Sequence, residues 1–195
     1  MPSLNINDLK SILNKDKEVK SNFKDYKFFN FIETGTHTGT TAFEMSKYFK
    51  RVDTIEIAKN LFDHCKLIKE QKKLINVNLH LGDSSILLEK ILKKLKGESI
   101  FFLDGHYSHG ITGRGNKDVP LLDELKVINS LYNYSSVIII DDARLFGTHK
   151  DEDWLNITDS NILKCFDKDK VFKSFYVDDR YVIFLKLKTH KDSIE

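Results

Sequence analysis

The stretch Phe28-Phe-Asn-Phe-Ile-Glu-Thr-Gly-Thr-His-Thr-Gly-Thr-Thr41 decides the fold. An apolar run ends in an acid, Glu33, and opens into a turn of small residues around Gly35 and Gly39. A helix is expected directly afterwards, over 40–49. A buried parallel strand that breaks into glycines before a helix brings backbone amides and a helix N-terminus up to a ligand. A nucleotide-like molecule is therefore expected here, and the turn's chemistry narrows the choice. A dinucleotide fingerprint has Gly-x-Gly-x-x-Gly, and a phosphate-cradling loop has a Lys after its last glycine. Here the spacing is Gly-x-x-x-Gly, Thr40 and Thr41 follow Gly39, and no Lys or Arg is present. The carboxylate of Glu33 would repel a pyrophosphate and suit a cationic ligand with an amino-acid end. A turn that needs glycine only for its backbone geometry would look the same.

Further along the chain, strands and helices alternate. A strand over 51–57 carries Glu56, about 20 residues beyond the turn, where an acid at a strand tip accepts both ribose hydroxyls of a nucleoside. A strand over 77–82 runs into Asp83, Ser84 and Ser85. Asp83 or Ser84 would cap the next helix, over 85–96, whose apolar positions Ile86, Leu87, Ile91, Leu92 and Leu95 are periodic. Buried strands over 99–104 and 136–141 end in Asp104 and in Asp141-Asp142. Helices are expected near 6–14 and over 59–72, 120–131 and 159–167. Alternation of this kind gives a mostly parallel sheet covered on both faces. The last two strands, 171–177 and 181–188, are joined only by Asp178-Asp179-Arg180, which is too short for a helical crossover. They should form a hairpin and place one antiparallel strand in the sheet.

In an open α/β sheet the carboxyl ends of the strands share one edge, where ligands bind. Asp104, Asp141 and Asp142 would then converge and repel one another unless a positive group sits between them. Oxygen donors favour Mg²⁺, Mn²⁺ or Ca²⁺ over zinc. The metal-free alternative has Asp141 and Asp142 capping the next turn beside Arg144, which would neutralise Asp141, while Asp104 holds a ligand's ammonium. The loop 105–118 contains Gly105, Gly110, Gly113 and Gly115 together with His106, Tyr107, His109 and Arg114. A loop of this composition reads as a mobile lid that excludes water. His106, two residues past Asp104, is the expected general base, since an unperturbed imidazole titrates near pH 6.5. Fixing the loop by hydrogen bonding is its alternative role.

Acid-x-Gly-x-x-x-Gly, from Glu33 to Gly39, resembles motif I of class I S-adenosylmethionine-dependent methyltransferases, with His37 where that family often has a glycine. The resemblance implies an α/β, Rossmann-like three-layer sandwich. Its seven-stranded, mostly parallel sheet would run 3-2-1-4-5-7-6 with strand 7 antiparallel. It also implies that Glu33, Thr34, Gly35, Thr36, Gly39 and Thr40 shape the methionine end of S-adenosylmethionine. Glu56 and Ile57 would meet the ribose, Asp83 and Ser84 the adenine, and Asp104 would border the cofactor. Metal-dependent O-methyltransferases of this fold, acting on catechols and sugars, place acids where Asp104, Asp141 and Asp142 stand. A divalent cation, Mg²⁺ or Mn²⁺ with Ca²⁺ as a further choice, is implied there, with Asp104 and His106 as the catalytic pair. Asp-Gly-His-Tyr-Ser at 104–108, Asp-x-Pro-x-x-x-Glu-Leu at 118–125 and Ile-Asp-Asp-Ala-Arg at 140–144 are similar to small methyltransferases of bacterial and large-virus glycan-modifying systems. Methylation of a sugar hydroxyl on a glycan or nucleotide-sugar is the implied activity. A metal-independent small-molecule methyltransferase and a non-catalytic nucleotide-binding module are the alternatives.

Composition bounds the rest. At 195 residues the chain fits a single domain, 1–195, with 1–25 as an N-terminal helical extension. Its 31 basic and 29 acidic residues leave a net charge of only +2, so bulk charge does not imply nucleic-acid binding. Lysines clustered at 66–73 and 93–96 read as solvated helix faces. Cys65 and Cys165 are too few and too far apart for a disulfide framework or zinc cluster and read as small core residues. No 18-residue apolar run and no signal peptide is seen, so a cytoplasmic protein without a membrane span is expected. None of the seven tyrosines begins a Tyr-x-x-x-Lys pair, which argues against a short-chain oxidoreductase. The only prolines, Pro2 and Pro120, exclude the Asn/Asp-Pro-Pro-aromatic signature of base-amine methyltransferases. The partner is expected to be a small-molecule or glycan acceptor, and the oligomeric state stays open, a homodimer included.

Overall fold

The computed structural model describes residues 3–108, 110–148 and 153–187. Seven strands form one sheet: β1 Asn30–Thr34, β2 Arg51–Glu56, β3 Val77–Leu81, β4 Ser99–Leu103, β5 Ser136–Ile140, β6 Val171–Val177 and β7 Arg180–Leu185. Their order is β3-β2-β1-β4-β5-β7-β6, with β7 antiparallel to both neighbours, as the sequence predicts. The helices are α1 Ile6–Asn14, α2 Lys17–Phe23, α3 Thr40–Met45, α4 Lys59–Gln71, α5 Ser84–Leu92, α6 Leu121–Leu131 and α7 Asp159–Leu163.

The central strands β1, β4 and β5 are buried along their whole length. Successive side chains on a strand point to opposite faces, so both faces need cover. Ile32, Phe101 and Ile138 pack beneath α5, α6 and α7. Phe31, Ile100 and Val137 pack on the other face with residues of α1 to α4. Each such Ile or Phe contributes about 1.5–3 kcal/mol on burial, so the two layers, rather than helix propensity, hold the sheet.

Several helix bounds differ from expectation. Helix α2 is absent from the sequence reading; it starts where Asp16 Oδ1 accepts the amides of Glu18 and Val19, at 2.9 and 3.0 Å. Helix α3 stops at Met45 rather than 49, where Ser46 Oγ bonds the carbonyl of Phe43 at 2.7 Å and the chain tightens into turns. Helices α5 and α7 also end early, at Leu92 and Leu163. Among the described residues no helix is long and apolar enough to cross a membrane.

Register positions the site. Thr34 lies beside Ile55 and Leu103, and Leu103 beside Ile140. The residues that follow β2, β4 and β5 therefore leave the sheet along one edge.

Candidate active site

The turn after β1 is pressed against the tip of β4. Gly35 has φ +83, and a Cβ there would lie 2.3 Å from the carbonyl oxygen of Asp104. Only glycine satisfies both the left-handed backbone and that approach. The amides of Gly35 and Thr36 both donate to the carbonyl of Ile55, at 3.0 and 3.2 Å. His37, at φ +49, then turns its amide onto Glu56 Oε2 at 2.8 Å, while the Ala58 amide donates to Oε1 at 2.7 Å. The left-handed backbone at His37 accounts for a residue where glycine is expected. Two amides thus fix the Glu56 carboxylate, and its remaining lone pairs face a cavity of about 650 Å³.

Glu33 is buried behind this turn and accepts a 2.6 Å hydrogen bond from Thr54 Oγ1, which is itself 2.6 Å from Thr36 Oγ1. Burial, reinforced by the charge of Glu56, pushes its carboxyl up to about 8. Burial thus favours the protonated form of Glu33, and an arriving cation would favour the ionised one. Asp83 does two things at once. Its Oδ1 caps α5 by accepting from the Ser85 amide and hydroxyl, at 2.9 and 2.6 Å, and its Oδ2 accepts from the Asn116 amide at 3.3 Å.

That last bond straps the loop 105–118 over the cavity. A Cβ on Gly113 would lie 2.5 Å from Ile57 Cγ2, and one on Gly115 would lie 2.7 Å from Asp83 Oδ2. These glycines serve close docking of the loop rather than the mobility expected of them. Arg114 pairs with Asp118 at 2.6 and 2.9 Å, and the Tyr107 amide bonds the Asp118 carbonyl at 2.8 Å. His109, His149 and His190 lie outside the described residues.

The second half of the cavity is acidic. Asp104 keeps a third of its side chain open yet is enclosed by protein, and burial, then the charges of Asp141, Asp142 and Glu33, hold its carboxyl well above the usual range. His106 sits between two carboxylates: Nδ1 is 3.7 Å from Asp104 Oδ1 and Nε2 is 3.2 Å from Asp142 Oδ2. Its ring meets Trp154 edge-on, with centroids 5.0 Å apart. Asp142 has a left-handed backbone, φ +59, and its other oxygen accepts from Arg144 Nη1 at 2.6 Å. Arg144 also pairs with Asp179 in the β6–β7 turn.

One expectation is corrected here. Arg144 pairs with Asp142, not Asp141. Asp141 turns to Arg180, whose Nε lies 3.1 Å from Asp141 Oδ1 and whose Nη1 lies 3.5 Å from Asp8 Oδ2 on α1. Burial holds the Asp141 carboxyl above its ordinary value, with Arg180 opposing. Asp104, His106 and Asp142 bring one donor atom each within 4.8 Å of one another, with Asp141 bordering the same cavity. Two carboxylates and an imidazole at that spacing fit a divalent cation.

Glu33, Gly35, Thr36, Thr40, Glu56, Ile57, Asp83, Ser84, Asp104, His106, Asp141 and Asp142 all border the one cavity. Thr34 and Gly39 do not. Thr34 is buried behind Gly105, and Gly39, at φ +77, begins α3 against the ring of Phe43. Sequence reading missed Arg180, hidden in a hairpin turn, and Trp154, whose only signal is being the sole tryptophan. It quoted Glu124 within the 118–125 motif but gave it no role; this residue, in the first turn of α6, is buried beneath Gly105 and pushed by burial to about 7.

No protein-family profile matches the chain, and no curated sequence relative is found. Solved structures do resemble it. A Staphylococcus aureus protein provisionally named a caffeoyl-CoA O-methyltransferase superposes with a TM-score of 0.60 at 13% identity, over 91% of this chain and 89% of that one. An O-methyltransferase from Bacillus cereus, solved with S-adenosylhomocysteine (SAH), gives 0.57 at 15% identity, over 81% and 74%. A point variant of MtNAS in complex with S-adenosylmethionine gives 0.54 at 12% identity, over 91% of this chain, which spans only 60% of that protein's length. At such identities the likeness is one of architecture: the chain has the Rossmann-like methyltransferase fold.

Proposed function

We propose that the chain is an S-adenosylmethionine-dependent O-methyltransferase acting in the cytoplasm on a sugar hydroxyl, in a glycan or nucleotide-sugar, with a divalent ion assisting. The whole of 1–195 is read as one such domain with 1–25 as its helical extension. One observation carries the reading. A single cavity joins a nucleoside-type half, built on Glu56 and Asp83, to a carboxylate–imidazole half at Asp104, His106 and Asp142. Structures of the same fold are solved with S-adenosylmethionine or SAH, which supports that choice of ligand.

S-adenosylmethionine supplies a methyl already activated on a sulfonium, so the chain's own residues chiefly orient and deprotonate the acceptor. Glu56 would accept the ribose hydroxyls, Asp83 and Ser84 would address the adenine, and Glu33 would balance the cationic methionine end across Gly35, Thr36 and Thr40. A divalent ion at the acidic half would lower the pKa of an acceptor hydroxyl. Carboxylates accept hydroxyl hydrogen bonds, which suits a polyhydroxylated acceptor, and the cluster of Asp104, His106 and Asp142 would receive its proton. The docked loop 105–118 would keep water from the methyl.

Calorimetry with SAH against NAD tests the cofactor; SAH should bind and NAD should not. Transfer of labelled methyl to sugar acceptors, with and without EDTA, tests the reaction. Failure to bind SAH would end the reading, whereas transfer that survives EDTA would remove the ion alone.

A further inference from the structure

Among the described residues, one cluster brings together a ring nitrogen and two carboxylates with donor atoms within 4.8 Å: Asp104, His106 and Asp142. Resting on the reading that the acidic half holds an ion, we propose that His106 is a ligand to it and that Asp141 is not. The imidazole then shifts preference from Mg²⁺ and Ca²⁺ toward transition ions such as Fe²⁺ and Co²⁺, with Mn²⁺ accepting both kinds of donor.

Two of the three donors, Asp142 and His106, are aimed by a neighbour. Arg144 holds Asp142 Oδ1 at 2.6 Å, which leaves Oδ2 turned toward His106. Trp154, buried and edge-on at 5.0 Å, fixes the plane of the imidazole. Arg180 engages Asp141 Oδ1 at 3.1 Å and links it to Asp8 on α1, so Asp141 already has a cationic partner and is not among the three donors within 4.8 Å. Such outer partners orient ligands and tune affinity. Mg²⁺ and Ca²⁺ are hard ions that take oxygen donors, whereas imidazole suits transition ions. A nitrogen in the set therefore shifts preference away from Mg²⁺ and Ca²⁺, while Mn²⁺ still binds the mixed set. His106 then holds the ion, and the second oxygen of Asp104 is left to accept the acceptor's proton.

The test uses the full chain, freed of metal with a chelator and titrated with Mn²⁺. One Mn²⁺ should bind, pulsed electron paramagnetic resonance should show coupling to a histidine nitrogen, and a tenfold excess of Mg²⁺ should not displace it. His106→Gln should abolish the nitrogen coupling and Asp142→Asn should weaken Mn²⁺ binding by more than about 10-fold. Asp141→Asn should leave Mn²⁺ affinity within about threefold, a change of well under 1.4 kcal/mol. Absence of Mn²⁺ binding, an oxygen-only Mn²⁺ environment in the native chain, or equal losses in Asp141→Asn and Asp142→Asn would overturn the proposal. The native spectrum decides even if a variant fails to fold, and circular dichroism identifies such a variant. SAH calorimetry on the same samples separates the two readings. A nitrogen-bound Mn²⁺ without SAH binding would sink the methyl-transfer reading while leaving the ion site in place.

Discussion

Arg180 Nε and Asp141 Oδ1 lie 3.1 Å apart with both side chains buried, so the end of the central sheet carries an ion pair that the hairpin supplies. Removing one partner of a buried pair leaves the other charge without compensation, at a cost of about 3–5 kcal/mol. Arg180→Met should therefore lower the urea midpoint strongly. Combining it with Asp141→Asn should recover much of the loss. An additive double variant would show that the pair does not act as a unit.

Glu33 couples stability to pH. Its carboxyl is pushed up to about 8 from an ordinary 4.5, so the folded chain keeps a proton that the unfolded chain releases above 4.5. Stability should fall as pH rises from about 4.5 to about 8, because the folded state binds more protons across that window. Glu124, pushed to about 7, adds to the same slope. Urea titrations at pH 5, 7 and 9 should show Glu33→Gln gaining on the native chain as pH increases. An unchanged slope would exclude this role for Glu33.

The same group should make ligand binding release protons. The α-ammonium of SAH placed beside Glu33 would favour its ionised form, so SAH affinity should rise from pH 6 to pH 8. Calorimetry at pH 7 in buffers of different ionisation enthalpy should register a proton leaving the protein, and Glu33→Gln should silence it.

Glu56→Gln tests the adjacent carboxylate. Glutamine has one acceptor oxygen and cannot receive both the His37 and Ala58 amides, which now donate at 2.8 and 2.7 Å. Hydrogen bonds to charged groups are worth about 1.5–3 kcal/mol, so SAH affinity should drop by about 10-fold or more.

Gly35→Ala separates backbone strain from collision. Gly35 and Gly110 both have positive φ, +83 and +64, but only at Gly35 would a Cβ strike backbone, 2.3 Å from the Asp104 oxygen. Gly110→Ala should cost about 1 kcal/mol, and Gly35→Ala about 2–4 kcal/mol. Equal denaturation midpoints for the two variants would refute the close approach.

The buried parallel strands and their common edge were legible because apolar runs end in Glu33, Glu56, Asp104 and Asp141, whereas the strand order followed only from the resemblance to class I methyltransferases. The partners of Asp141 and Asp142 were not legible. The register that sets Leu103 beside Ile140 carries Asp104 alongside Asp141, so pairing alone does not bring Asp142 to His106. A left-handed residue at Asp142, φ +59, redirects its carboxylate to His106, and no local pattern announces that turn. Arg180 was equally silent, since its partners Asp8 and Asp141 are distant in sequence. Helix α2 escaped notice because seven residues are too few for periodicity to show.

The close seating of Gly113 and Gly115 on Ile57 and Asp83 has a kinetic corollary. An adenosyl group resting on Glu56 and Asp83 would lie beneath this strap, and departure of spent nucleoside would wait for residues 113–116 to peel away. Residence time would then be set by breaking the Asn116–Asp83 bond and a few van der Waals contacts rather than by methyl transfer. Stopped-flow release of SAH from an Asp83→Ala variant would time that peeling.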